Sequence, residues 1–181
     1  MSEPVRVLLV SGSTRAGSGN TAALVTTAAV APASVTAVLY DGLTRLPPFN
    51  PDDDGDHLPW EPARLREEIA AADAVLFCTP EYAGTLPGSF KNLLDWTVGG
   101  GQLYGKPAAW INVAGPGRGQ GAQDALVLVL GYVGAVIVEA ACRRIPVDRG
   151  AANPDGTVAD PSFAAAVAGV WEALQGHFDP Q

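Results

Sequence analysis

The sequence predicts an α/β fold, with a three-layer, doubly wound sheet of five parallel strands. Five short apolar runs alternate with segments of helical periodicity, which is the pattern of parallel strands covered by helices on both faces. The first apolar run ends abruptly in a loop rich in Ser, Thr and Gly, just before a helix. Neither an internal repeat nor a linker interrupts the alternation, so we expect residues 1–181 to form one domain.

The first strand is predicted from an apolar segment, 5–10, that only Arg6 interrupts. The other strands are short apolar runs bounded by turn residues, and the helices lie between them. In chain order we predict a strand at 5–10, a helix at 22–30, a strand at 34–40, a helix at 61–72 after a long polar stretch, a strand at 74–79, a helix at 89–98, a strand at 108–114, a helix at 122–130, a strand at 135–139 and a helix at 162–177.

Composition excludes several classes of function. The formal net charge of -8 disfavours nucleic acid or an anionic membrane as a partner, because both bind basic surfaces. The two cysteines, Cys78 and Cys142, are too few for a disulfide framework, and no His/Cys cluster has metal-ligand spacing, so we expect no metal. No apolar stretch approaches the ~18 residues of a membrane span, and no leader is expected. A reduced, cytoplasmic setting fits these features.

The loop after the first strand has the composition of a phosphate site. Residues 11–21 read SGSTRAGSGNT, and the following helix offers unpaired N–H groups to an anion. The Arg15 guanidinium can contact phosphate oxygens at two points, although an ordinary turn with a solvated arginine is the alternative. The lysine-containing triphosphate motif is absent. Such a loop suits a phosphomonoester at the switch point of a flavodoxin-like sheet, for which FMN is a common ligand.

A second loop, within the segment 79–96, follows the third strand and is expected beside the first at the carboxyl edge of the sheet. Gly84 and Gly88 would let a flat ring approach the backbone closely, and the N–H groups of 81–85 are expected to reach the polar edge of a flavin. Tyr82 either flanks the ring or is a partly exposed loop aromatic. Glu81 is either a solvated or helix-capping carboxylate or a catalytic group.

A third loop, 114–123, reads AGPGRGQGAQ and supports a rival hypothesis. Gly117, Gly119 and Ala122 match the dinucleotide fingerprint G-x-G-x-x-G/A, and Glu139 follows about 20 residues later, as an NAD-binding Rossmann protein requires. That fingerprint belongs to the first βα unit of a Rossmann half, whereas too little chain follows here. We therefore interpret the loop as a third wall of a flavin site, with Arg118 as either a contact for the NADPH 2'-phosphate or an exposed structural arginine.

Taken together, these segments resemble the NADPH-dependent FMN reductase family of flavodoxin-like proteins, which includes FMN, quinone and azo reductases. The resemblance is carried by G-S-x-R-x-x-S-x-N at 12–20, LPPFNPDDD at 46–54, PEYAGTLPGSFKNLLDW at 80–96 and GKP at 105–107. It implies that the first loop binds the FMN phosphate and the second lines the flavin. One departure is Ala83, because the family commonly reads P-E-Y-N where this chain reads P-E-Y-A; the loss of the amide puts flavin affinity in question.

The candidate cofactor-binding residues come from all three loops. They are Ser13, Arg15, Ser18, Gly19, Asn20 and Thr21 in the first loop, Pro80, Glu81, Tyr82, Ala83 and Gly84 in the second, and Gly115, Gly117 and Arg118 in the third.

The resemblance implies an FMN-dependent oxidoreductase that takes hydride from NAD(P)H and reduces a small-molecule acceptor, namely a flavin, a quinone or an azo compound. No catalytic side chain is expected, because the flavin carries the chemistry. A homodimer or homotetramer is implied in the same way. The alternatives are a flavodoxin-like electron carrier that holds FMN without turning over NAD(P)H, and the Rossmann protein described above.

Overall fold

The computed structural model describes residues 3–148 and 150–178. Its strands are β1 Val5–Ser11, β2 Val35–Tyr40, β3 Ala74–Cys78, β4 Pro107–Asn112, β5 Val136–Ile137 and β6 Arg143–Arg144. Its helices are α1 Gly19–Ala29, α2 Trp60–Ala71, α3 Gly88–Asp95, α4 Gln120–Tyr132 and α5 Pro161–Phe178. None of the helices in the described part of the chain combines the length and the apolar character needed to cross a membrane.

All strand pairs in the sheet are parallel, and the spatial order is β2-β1-β3-β4-β5, with β6 also beside β4. This is the strand order of the flavodoxin-like doubly wound fold, so the predicted fold class is confirmed. Residues on β1 alternate between the two faces: Val7 and Leu9 enter a core formed with α1 and α5, and Leu8 and Val10 enter one formed with α2, α3 and α4. Burial on both faces explains why the strand is almost wholly apolar.

The fifth strand position differs from the prediction, because two short strands occupy it. β5 pairs with Pro107–Ala108 at the start of β4, β6 pairs with Ile111–Asn112 at its end, and a 3-10 turn at Glu139–Ala141 separates them. The turn is compatible with burial of Val138 and Ala141 in the core shared with α5. Our prediction of one strand over 135–139 therefore holds for its middle only.

The long polar segment between β2 and α2 is fixed to α3 by two side chains. Asn92 donates through Nδ2 to the Pro47 carbonyl (2.9 Å), and its Oδ1 accepts from the Phe49 N–H (2.7 Å). Trp96 is fully buried, donates Nε1–H to the same Pro47 carbonyl (2.9 Å) and packs edge-on against Phe49 at 5.0 Å. These contacts hold the 46–54 segment against the 80–96 segment.

A buried carboxylate, Glu61, joins the end of β2 to the start of α2. It accepts from the Tyr40 hydroxyl (3.0 Å), from Arg45 Nε (3.0 Å) and from Arg64 Nη2 (2.7 Å). Burial by itself raises the pKa of Glu61, but the hydrogen bonds from Arg64, Arg45 and Tyr40 outweigh it, and the pKa lies below its ordinary value. The ionised carboxylate therefore stabilises the folded state.

We expect Glu61→Gln to lower the free energy of unfolding by about 2 kcal/mol near pH 7, because it removes the charge that three neighbouring side chains satisfy. A depressed carboxyl pKa contributes stability above the unfolded pKa of about 4.3, and that contribution is lost as the pH falls through the folded value. Urea unfolding of the variant and the wild type at pH 7 and at pH 3 measures the loss of stability and its dependence on pH. The loss should be present at pH 7 and smaller at pH 3.

Glu68→Gln is the matched control, since Glu68 lies on the same helix and pairs with the same Arg64, but burial raises its pKa. This variant should cost little at pH 7. An equal loss for Glu61→Gln at both pH values would contradict the electrostatic explanation and indicate a packing defect.

Candidate functional site

A cleft of about 510 Å³ opens at the carboxyl edge of the sheet, between the loops that follow β1, β3 and β4 and the segment that follows β6. Its volume lies within the range of pockets that hold cofactors and small ligands. Ten of the fourteen candidate residues line it: Ser13, Arg15, Ser18, Gly19, Asn20, Pro80, Glu81, Tyr82, Gly115 and Arg118. The other four, Thr21, Ala83, Gly84 and Gly117, do not.

The first loop prepares the N-terminus of α1 for an anion. Ser18 caps the helix, with its Oγ accepting the Asn20 N–H (3.2 Å), and Ser13 Oγ accepts the Arg15 N–H (3.3 Å). A hydroxyl that accepts one bond can still donate its own proton. Ser13 and Ser18 thus hold the loop in shape and keep an O–H donor for a bound group.

Arg15 provides positive charge at this end of the cleft. Its side chain is exposed, and within residues 3–148 and 150–178 its guanidinium makes neither a hydrogen bond nor an ion pair. The positive end of the α1 dipole lies at the same loop. Both features attract an anion, and a phosphate offers enough oxygen atoms for both.

Thr21 and Asn20 support the loop in different ways. The Thr21 hydroxyl is hydrogen-bonded to Ser11 Oγ (2.8 Å), which also accepts the Ser13 N–H (3.3 Å). Asn20 lines the cleft, and its Oδ1 accepts from the Cys78 thiol (3.4 Å). Burial raises the pKa of Cys78 far above its ordinary value, so the thiol remains a donor. Thr21 is therefore placed as a brace for the loop, and no contact with the cleft is shown for it.

The second loop contains a tight two-residue turn. Tyr82 and Thr85 exchange backbone hydrogen bonds of 3.0 and 3.1 Å, and the central residues Ala83 and Gly84 have φ values of 50° and 76°. Two positive φ angles are what a type I′ turn requires, and Asn-Gly is its preferred sequence. The N–H groups of Tyr82 and Thr85 are used within the turn, so our prediction that all of 81–85 face a flavin is too broad.

Glu81 ties the second loop to α4. Its Oε2 accepts the Ala122 N–H in the first turn of α4 (3.2 Å), which supports the helix-capping alternative. Beside this bond, Gly121 lies so close to the Gly84 carbonyl that a Cβ atom on Gly121 would come within 2.1 Å of that oxygen. Two walls of the cleft are thus in direct contact, and only a glycine fits between them.

The third loop contributes Ala114, Gly115, Arg118 and Gly119 to the cleft. Asn112, at the end of β4, closes the loop from inside: its Oδ1 accepts the Ala114 N–H (3.0 Å), and its Nδ2 donates to the Gly119 carbonyl (3.1 Å). The Arg118 side chain is exposed at the rim, consistent with either of the roles considered for it.

The dinucleotide fingerprint is not in its Rossmann context. It follows β4, the fourth strand of the chain, whereas the Rossmann motif follows the first. Glu139 begins the 3-10 turn after β5, which pairs only with the start of β4, so Glu139 lies short of the edge from which the loop leaves. It is exposed and does not line the cleft. The Rossmann alternative is therefore not supported.

Sequence analysis missed eight lining residues. They are Gly17, Thr79, Val113, Ala114, Gly119, Val147, Asp148 and Gly150. Gly17, Thr79, Ala114 and Gly119 lie inside the three predicted loops, and Val113 belongs to the strand predicted at 108–114 and was expected to be core. The last three residues of that set come from the segment after β6, where Ile145 and Val147 donate their N–H groups to the carbonyls of Asn112 and Val113. The weak apolar alternation of Ile145, Pro146 and Val147 was the only signal for it.

The cleft is suited to an anion at one end and a flat polar ring between its other walls. Among the described residues, no three His, Cys, Asp or Glu side chains are grouped closely enough to hold a metal ion. Burial raises the pKa of Cys142 to about 11, so this thiol stays protonated at neutral pH and is a poor nucleophile.

Comparison with known proteins agrees with this geometry. The family model described as NADPH-dependent FMN reductase matches residues 5–146. The chain is 40% identical over 116 residues to the NAD(P)H-dependent FMN reductase PA1204 of Pseudomonas aeruginosa, a match that covers 63% of this chain but only 62% of that protein. It is 34% identical over 151 residues to a quinone reductase of Pseudomonas putida, covering 81% of this chain and 77% of the relative.

Among solved structures, the chain is similar to FerB, a flavoenzyme NAD(P)H:(acceptor) oxidoreductase from Paracoccus denitrificans. The two share 30% sequence identity and superpose with a TM-score of 0.79, over 96% of this chain and 98% of the other.

We expect Ala83→Asn to raise the free energy of unfolding by up to about 1 kcal/mol, because asparagine tolerates positive φ better than alanine. Thermal or urea unfolding of the ligand-free protein measures the change. Thr85→Asn is the control, since Thr85 ends the same turn without a positive φ. If both variants gain the same stability, or neither gains any, the positive φ of Ala83 does not strain the turn.

Proposed function

The chain belongs to the NADPH-dependent FMN reductase family, and we propose that it is an FMN-dependent oxidoreductase that transfers hydride equivalents from NAD(P)H to a flavin, a quinone or an azo compound. The observation that carries the proposal is the cleft at the carboxyl edge, where the N-terminus of α1 and Arg15 face residues 80–82 of the second loop and the third loop. A flavodoxin-like sheet binds its ligand at this edge.

The residues present fit FMN. In our proposal the phosphate lies at the first loop, held by the Ser13 and Ser18 hydroxyls, the N–H groups at the start of α1 and the Arg15 guanidinium. The Glu81–Ala122 bond and the contact of Gly121 with Gly84 fix the spacing of the two walls that would enclose the ring. When bound, FMN supplies the group that accepts hydride from the nicotinamide and gives up electrons to the acceptor.

The protein's own part is to bind FMN, to orient its ring and to leave one face of the ring accessible to the substrates. Tyr82 is about half exposed at the rim, where it can stack on either visiting substrate. Arg118, also at the rim, is placed to attract the 2'-phosphate of NADPH. No side-chain nucleophile is required, and both described cysteines have raised pKa values. The donor and the acceptor would use the same open side of the cleft in turn.

We also propose that the protein assembles as a homodimer or homotetramer in the cytoplasm. Leu128 and Tyr132 project from α4 one turn apart, and both are largely exposed. Tyr104, 81% exposed, packs against Gly134 just beyond the same helix end. Exposed aromatic and aliphatic side chains grouped in this way favour burial against a second subunit. The two cysteines are free thiols, as a reducing compartment would keep them.

The first test is turnover. We expect the FMN-loaded protein to oxidise NAD(P)H and to reduce a quinone or free flavin, with parallel lines in double-reciprocal plots, because both substrates use one site alternately. Stopped-flow absorbance of the flavin should show reduction by NAD(P)H and reoxidation by the acceptor as separate phases. Bound FMN with negligible NAD(P)H oxidation would instead support the flavodoxin-like electron carrier.

The second test concerns the phosphate. Arg15→Ala removes a charge-assisted contact of about 1.5 to 3 kcal/mol, so FMN affinity should fall by about tenfold to more than a hundredfold, measured by quenching of flavin fluorescence. Glu139→Ala is the control, because Glu139 lies outside the cleft and should leave FMN affinity unchanged. Riboflavin, which lacks the phosphate, should bind wild type and Arg15→Ala alike. Undiminished FMN affinity in Arg15→Ala would overturn the phosphate assignment.

A further inference from the structure

The third loop of the cleft cannot hold its shape through its own side chains. Between β4 and α4 it contains Gly115, Gly117 and Gly119, and the last two have φ values of 73° and 78°. Its middle, from Pro116 to Arg118, is exposed. Glycine loses more conformational freedom on ordering than other residues, so a loop of this composition needs support from outside.

Arg144 supplies such support. Its Nη1 donates to the carbonyl of Arg118 (2.8 Å) and to that of Ala114 (3.4 Å), and its Nη2 lies 3.5 Å from Gln120 Oε1. The guanidinium thus bridges the two ends of the loop and the first residue of α4. Hydrogen bonds from a charged donor are stronger than neutral ones, and the planar fork of arginine fixes their direction. Arg144 itself does not line the cleft.

The division of the fifth strand into β5 and β6 determines where the Arg144 side chain lies. Since the chain turns at Glu139–Ala141 and pairs again as β6, Arg144 becomes the register partner of Asn112. Asn112 closes the loop from inside, as described above, and Arg144 holds the same loop from the neighbouring strand. Arg143, one residue earlier, pairs with Ile111, and within the described part of the chain its Nη1 donates only to the adjacent Cys142 carbonyl (3.1 Å).

We propose that Arg144 is a positioning residue for the nucleotide cleft: it keeps the 114–118 loop in its binding shape before any ligand arrives. The inference rests on the proposed function in that the loop is taken as a wall of the FMN site. The inference goes further, because it states that one side chain outside the site, Arg144, keeps that loop ordered. A ligand that binds only the ordered loop loses apparent affinity in proportion to the fraction of molecules in which the loop is ordered.

The test compares Arg144→Ala, Arg144→Lys and Arg143→Ala with the wild type, first without ligand. Hydrogen exchange of a peptide covering 113–123 reports the order of the loop directly. We expect exchange to be about tenfold faster in Arg144→Ala, because the lost bonds are charge-assisted. Arg144→Lys should lie between, since one ammonium can contact the carbonyls that Nη1 reaches but has no second nitrogen for Gln120 and no planar group to fix the direction of its bonds. Arg143→Ala should match the wild type.

The same proteins are then titrated with FMN, and their melting temperatures are measured. Arg144→Ala should bind FMN about three- to tenfold more weakly, with a melting temperature close to that of the wild type because the residue is exposed. Partial rescue in Arg144→Lys is expected in both exchange and affinity.

Unchanged exchange at 113–123 in Arg144→Ala would overturn the inference, whatever happens to FMN binding. Faster exchange with unchanged FMN affinity would also overturn it, because the loop would then not limit binding. Equal effects in Arg143→Ala would assign the result to loss of surface charge. If wild type binds no FMN, the proposed function fails, whereas the exchange comparison still decides whether Arg144 orders the loop.

Discussion

The structure depends on the burial of a parallel sheet on both faces, and β1 is the strand that shows it most directly. Val7, Leu8, Leu9 and Val10 are completely buried, alternately against α1 with α5 and against α2, α3 and α4. Burying side chains of this kind contributes about 1.5 to 3 kcal/mol each. Because parallel strands all end at the same edge, burial of the sheet leaves one edge where polar loops can gather. The cleft lies there.

The loops at that edge are held by hydrogen bonds in which a side chain of one segment contacts the backbone or a side chain of another. Glu81 from the second loop caps α4, Asn112 closes the third loop, and the Cys78 thiol donates to Asn20 at the start of α1. Cross-bracing of this kind orders the site before a ligand binds, which lowers the entropy that binding must overcome. The glycines at 84 and 121 contribute by letting two walls touch.

The fold class and much of the site were predictable because their signals are local. An apolar run followed by hydroxyl-rich residues and a helix identifies β1, the first loop and α1, and Ser13, Arg15 and Ser18 indeed line the cleft. The Tyr-Ala-Gly-Thr sequence of the second loop contains its own turn. The type I′ geometry was not predicted, because this chain has Ala83 at the position where asparagine usually marks such a turn.

What the sequence by itself determined is the alternation of buried strands and helices, the resemblance to a family and the polar character of three loops. Only the tertiary structure decided that the fifth strand is divided, that Thr21 braces the first loop, and that residues after β6 complete the cleft. The reason is physical. Periodicity and turn chemistry are properties of neighbouring residues, whereas the register of Arg144 beside Asn112 is fixed by packing between segments about thirty residues apart.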